Sequence, residues 1–140
     1  MAGMRRSAAA VPFRVWAVLH AGFALAQVGA AGALLDALDL ALEVHGGIGD
    51  SLILLAMVQA VLAVPAAWPG RMPVWPLAVS VVLVVADTAQ VAVGHAGLLS
   101  VHVPLGVLIV VAQVAVAVRA VLPARPAADQ VAPAAGSLRR

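Results

Sequence analysis

The chain has 140 residues, of which 64% are hydrophobic and only 10% charged, and its mean hydropathy is +1.10. A soluble domain is nearer half apolar, so this composition predicts an integral membrane protein and excludes a soluble enzyme. The formal charge of +2 and the pI near 11.2 do not point to nucleic acid, because every basic residue is an Arg near the end of an apolar segment or in a terminal stretch.

There is no Cys, which excludes disulfides, zinc-thiolate centres, iron-sulfur clusters and thiol chemistry. Any redox role therefore needs a bound cofactor. Lys, Asn and Tyr are missing while Ala, Val, Arg, Gly and Pro abound, a pattern of GC-rich coding that predicts a bacterial cytoplasmic (inner) membrane.

In chain order, a short segment over 1–10 carrying Arg5 and Arg6 precedes four apolar stretches, each close to or above the roughly 20 helical residues that cross a core of about 30 Å. The first runs from Val11 to Leu35 and carries His20, roughly 12 Å deep at 1.5 Å per residue. Gln27 lies seven residues further on the same face, and Gly22, Ala26, Gly29 and Ala33 read as a helix-packing seam. An acidic connection follows with Asp36, Asp39 and Glu43, then His45.

The second stretch, Gly46 to Ala67, holds Gly49, Asp50 and Gln59. Trp68-Pro69-Gly70-Arg71-Met72-Pro73 with Trp75 beyond is a turn flanked by interfacial tryptophans. The third stretch, Pro76 to Val93, places Ser80, Asp87, Gln90 and Gly94 on one stripe, and Gly94-His95-Ala96-Gly97 reads as its short connection. The fourth, Val101 to Val118, holds His102, Gly106 and Gln113. An Ala/Pro-rich tail over 122–140 reads as disordered.

The expected fold is thus all-α, a four-helix antiparallel transmembrane bundle over 11–121. Continuous apolar runs of this length argue against membrane strands. All eight basic residues then fall on one side, which the positive-inside rule makes cytoplasmic, with both termini inside. A rival reading makes the first stretch a cleaved signal peptide ending at Gly29-Ala30-Ala31-Gly32-Ala33. Its apolar run exceeds the usual h-region of about 7 to 15 residues, and its removal would leave an odd number of spans.

Within that topology the two hairpins read as parallel repeats. Gln27 is followed by His45-x-x-x-Gly49, and Gln90 by His102-x-x-x-Gly106. The two histidines share a depth near the outer ends of segments two and four, and each glycine lies one turn deeper on the same face. A glycine there would let a flat ligand approach the backbone, and haem needs axial histidines in an apolar slot.

The paired motif and hairpins resemble the four-helix half-unit of haem A synthase, other four-helix membrane b-type cytochromes, and small four-helix membrane proteins of high-GC bacteria. The resemblance covers about Phe13 to Arg119. It implies that His45 and His102 are axial ligands of one haem b, and that the activity is electron transfer or redox sensing. This chain has one such half where haem A synthases join two, and Glu43 sits a little differently from their acidic residue.

Other readings of the same residues stay open. The histidines would serve equally as interfacial structural residues in a cofactor-free accessory subunit. Alternatively, His45, His95 and His102 would gather with Glu43 or Asp50 as an outward-facing metal site. Asp87 reads as a proton carrier, as a partner orienting a ligand histidine, or as interhelical glue, with Gln90 and Gln27 as neighbours. An inner polar layer of His20, Gln59, Ser80 and Gln113, one residue from each segment, reads as packing or as a quinone headgroup site. Besides the lipid bilayer, the expected partners are therefore a quinone or a redox protein.

Overall fold

The computed structural model describes residues 8–122; the expected tail from 123 and the first seven residues lie outside them. The described residues form four long helices, α1 (Val11–Leu35), α2 (Ala41–Ala67), α3 (Trp75–His95) and α4 (Leu99–Val121). They hold 25, 27, 21 and 23 residues, so the rods are about 31 to 41 Å long at 1.5 Å per residue. All four are long and apolar enough to cross a bilayer, which makes this a multi-pass membrane protein. Successive helices pack against each other, and α1 also closes on α4, giving an antiparallel four-helix bundle. The connections at 36–40 and 96–98 form one end, the tip, and the 68–74 connection lies at the other.

Prolines and turns set the helix boundaries. Pro12 and Pro76 stand in the first turns of α1 and α3, where a missing N–H removes no intrahelical bond. At the tip, α1 and α3 end alike. Leu38 N–H reaches the Ala33 carbonyl at 3.1 Å and Leu98 N–H reaches that of Val93 at 3.0 Å. In both cases the preceding residue is left-handed, Ala37 at φ 52 and Gly97 at φ 70, as helix-terminating motifs of this kind require. Gly97 takes this conformation freely, whereas Ala37 costs about 1 to 2 kcal/mol.

Several helix ends differ from the sequence expectation by one to five residues, and two of them bear on the site. Helix α2 starts at Ala41 rather than Gly46, because Glu43 in the first turn complements the exposed N–H groups there. Helix α3 runs through His95, so this residue ends a helix and is not part of a loop.

The interior is lined mainly by alanine and polar residues, with Phe13, Leu52, Leu83, Ile109 and Val116 as its larger side chains, and the exterior is bulky. Ala17, Ala21, Ala24, Ala56, Ala63 and Ala66 are buried, whereas Val18, Leu25, Leu54, Val85 and Leu108 are among the many exposed large side chains. In lipid a buried Leu gains nothing over an exposed one, and close approach of helices decides the packing. The expected seam of Gly22, Ala26, Gly29 and Ala33 is corrected here. The first three are exposed and Ala33 is half-buried, because they lie about 180 to 240° around the helix from buried His20 at 3.6 residues per turn. The buried face of α1 is instead Phe13, Ala17, His20, Ala21, Ala24 and Ala30.

Candidate functional site

Two polar layers cross the bundle. In the inner layer His20, Gln59, Ser80 and Gln113 are fully buried, and their hydrogen bonds fix one another's orientation. Ser80 Oγ donates to the Pro76 carbonyl at 2.7 Å, so it must accept from Gln59 Nε2 at 3.1 Å. That turns Gln59 Oε1 toward His20 Nδ1, which donates to it at 3.1 Å. Gln59 and Gln113 also exchange bonds of 3.1 and 2.9 Å, and Gln113 Nε2 reaches the Ala17 carbonyl at 3.0 Å. These five interhelical contacts tie all four helices and, at about 0.6 kcal/mol each, contribute about 3 kcal/mol. The one atom this layer leaves for a ligand is the lone pair of His20 Nε2, which is buried without a partner.

The outer layer, near the tip, brings together the repeated motif. The imidazoles of His45 and His102 face one another across the bundle with ring centres 6.0 Å apart and planes at 59°. Both belong to helices diagonal in the bundle, α2 and α4. Each histidine is clasped by the glutamine of its own hairpin: Gln27 Nε2 donates to the His45 carbonyl at 2.9 Å, and Gln90 Nε2 to the His102 carbonyl at 2.8 Å.

The glycines explain how the clasps fit. A Cβ on Gly49 would lie 3.3 Å from Gln27 Nε2, and one on Gly106 would lie 2.7 Å from Gln90 Nε2. Glycine four residues after the histidine thus opens the path by which a carboxamide reaches the histidine carbonyl. The room expected for a flat ligand over Gly49 and Gly106 is occupied in this structure by Gln27 and Gln90. Gly94 plays a further part that the spacing did not reveal, since a Cβ there would stand 2.8 Å from His102 Cε1.

The two histidines differ in their ring bonds. His102 Nδ1 lies 3.0 Å from the Gln90 carbonyl, which can only accept, so Nδ1 carries the proton and Nε2 keeps a free lone pair. His45 Nε2 lies 3.3 Å from Gln27 Nε2, and His45 Nδ1 is buried without a partner. Gln27 Oε1, Gln90 Oε1 and Asp87 Oδ2 are likewise buried and unpartnered. Asp87 is on the inward stripe of α3 with Ser80 and Leu83, and Gln90 beyond it is half-buried. Asp87 Oδ2 thus takes no part in interhelical bonding.

The three-histidine metal site does not assemble. His95 is exposed and its Nδ1 donates to the Val91 carbonyl of its own helix at 2.9 Å; Glu43 and Asp50 are exposed as well. Among the described residues no group of three or more His, Asp or Glu side chains comes within reach of one metal ion. Extending α3 to His95 fixes its ring against that helix and away from the His45 and His102 pair.

Fold and site together define the class: a multi-pass, four-helix antiparallel membrane bundle with a hydrogen-bonded inner polar layer and a clasped pair of histidines near its tip. No protein-family model, no curated protein and no solved structure matches the chain.

Proposed function

We propose that the chain binds one b-type haem between His45 and His102 and carries or senses electrons in a bacterial cytoplasmic membrane, with both termini inside. The observation that carries this reading is the facing pair of imidazoles 6.0 Å apart. Two imidazoles on one transition metal at about 2.0 to 2.1 Å each put their ring centres roughly 6.4 Å apart, close to the separation found. The second ring nitrogen of His102 donates to a backbone carbonyl, the usual way a ligand histidine is oriented. On the His45 side, Nε2 is held only by the 3.3 Å contact with Gln27.

Bound haem would supply one-electron chemistry in an apolar setting. The flexible carboxamides of Gln27 and Gln90 would have to leave the space over Gly49 and Gly106 for the macrocycle. A quinone, or a redox protein at the tip, is the natural electron partner. The test is the visible spectrum of the full chain purified in mild detergent from haem-replete cells. A Soret band lost in His45→Ala and in His102→Ala supports the reading, and a colourless wild-type protein overturns it.

A second reading is favoured by the clasps themselves. Gln27 and Gln90 already use the glycines and the histidine carbonyls for helix packing, which accounts for the repeated motif in a cofactor-free accessory subunit. That reading predicts the colourless outcome.

A further inference from the structure

Asp87 is 3% exposed and its Oδ2 has no hydrogen-bond partner. It stands one turn from Gln90, about 4.5 Å deeper along α3. Beyond it toward the tip lie three further unpartnered atoms, Gln27 Oε1, Gln90 Oε1 and His45 Nδ1. Three of the four are oxygen acceptors with no donor, so the group calls for something that donates hydrogen bonds.

The surroundings give this group a direction. On the side away from the tip, Ala56, Leu83 and Ile109 form an apolar cluster, and the inner polar layer beyond them is hydrogen-bonded within itself except at His20 Nε2. A second apolar plug follows, built on Phe13, Ala17, Ala63, Val116 and Ala120. Toward the tip the walls are polar and only half-buried, namely Gln27, Gln90, His45 and His102.

We propose that Asp87 is the proton-binding floor of a polar chamber that opens to the tip face, taking up a proton through hydrogen-bond donors such as water that enter past Gln27 and Gln90. In the step, a carboxylate oxygen of Asp87 gains one proton from the aqueous phase at the tip, and the carboxylic acid returns it there; no other bond forms or breaks. The titratable groups facing the chamber are His45 from α2 and His102 from α4, with His20 of α1 behind the apolar cluster. Arg14, Arg71, Arg119, Glu43, Asp50 and His95 are exposed outside it, and Asp36 and Asp39 are exposed in the tip connection. The proposal stands on the burial of Asp87 and on the unpartnered polar atoms between it and the tip, and holds with or without a haem between the histidines.

The full chain, reconstituted in vesicles in one orientation, is followed by infrared difference spectroscopy while the pH on either face is stepped with impermeant buffers. The expected result is a carboxyl C=O band that titrates with the pH at the tip face, is absent from Asp87→Asn and moves in frequency in Asp87→Glu. Gln90→Leu, which replaces a polar wall of the entrance with an apolar one, slows its response. A band that follows the pH of the other face overturns the proposal, as does the absence of any titrating band assignable to Asp87. Absorbance on the same sample reports haem separately, so loss of colour with a titrating Asp87 band refutes the haem reading only.

Discussion

Gly94→Ala puts the packing around the His102 ring to the test. The added Cβ would stand 2.8 Å from Cε1 and 2.9 Å from Nδ1 of His102, against an ordinary contact near 3.5 to 4.0 Å between carbons. The imidazole must therefore retreat by most of an ångström, and the 3.0 Å bond from His102 Nδ1 to the Gln90 carbonyl breaks. Losing that bond costs about 0.6 kcal/mol by membrane-protein averages and up to about 1.7, and overpacking adds about 1 to 3 kcal/mol. Alanine regains about 0.8 to 1 kcal/mol of helix propensity. The expected net loss is about 0.6 to 4 kcal/mol, read by denaturant-driven unfolding in mixed micelles. Gly29→Ala is the matched control, since its Cβ meets nothing within 4 Å, and it should be neutral or slightly stabilising. Equal effects from the two substitutions would refute the packing argument.

The clasp itself is open to a double-mutant cycle. Gly106→Ala should destabilise the wild type by about 1 kcal/mol or more and lose most of that effect in a Gln90→Ala background, where the 2.7 Å neighbour is gone; an unchanged cost would show that Gln90 is not what the glycine accommodates. Gln59→Leu removes bonds to His20, Ser80 and Gln113 and strands buried polar atoms, so unfolding should become easier by about 1 to 3 kcal/mol. Asp87→Ala removes a carboxyl whose Oδ2 has no hydrogen bond to lose and whose ionised form costs about 2.5 to 3.5 kcal/mol at mid-membrane. Its stability in the same assay should hold or rise, and a fall beyond about 1 kcal/mol would reveal a bonding partner.

Much of this architecture was legible because polar residues are scarce in the chain. With an almost wholly apolar background, His20, Gln59, Ser80 and Gln113 announce a layer by depth alone, and the structure joins them by hydrogen bonds. The approach of His45 and His102 followed from the same counting. The packing face of α1 is not legible from small residues because glycine and alanine occupy both sides of that helix, and only the position of His20 tells which side turns inward. Apolarity likewise marks where a membrane segment begins, not where a helix does, and α2 begins five residues before its apolar stretch. The role of Gly49 and Gly106 was hidden for another reason. A missing side chain shows that space exists, but what fills it depends on the reach of a glutamine on the neighbouring helix.

The two clasps span unequal lengths of chain. Eighteen residues separate Gln27 from His45, and twelve separate Gln90 from His102. Ten of the eighteen lie before or at Ala37 and seven of the twelve before or at Gly97, so the surplus divides evenly, three residues to each arm. The first hairpin therefore stands taller by about 4.5 Å while its rungs stay level. Height at the tip is adjustable as long as both arms change together, and a single deletion in one arm would leave glutamine and histidine facing past each other.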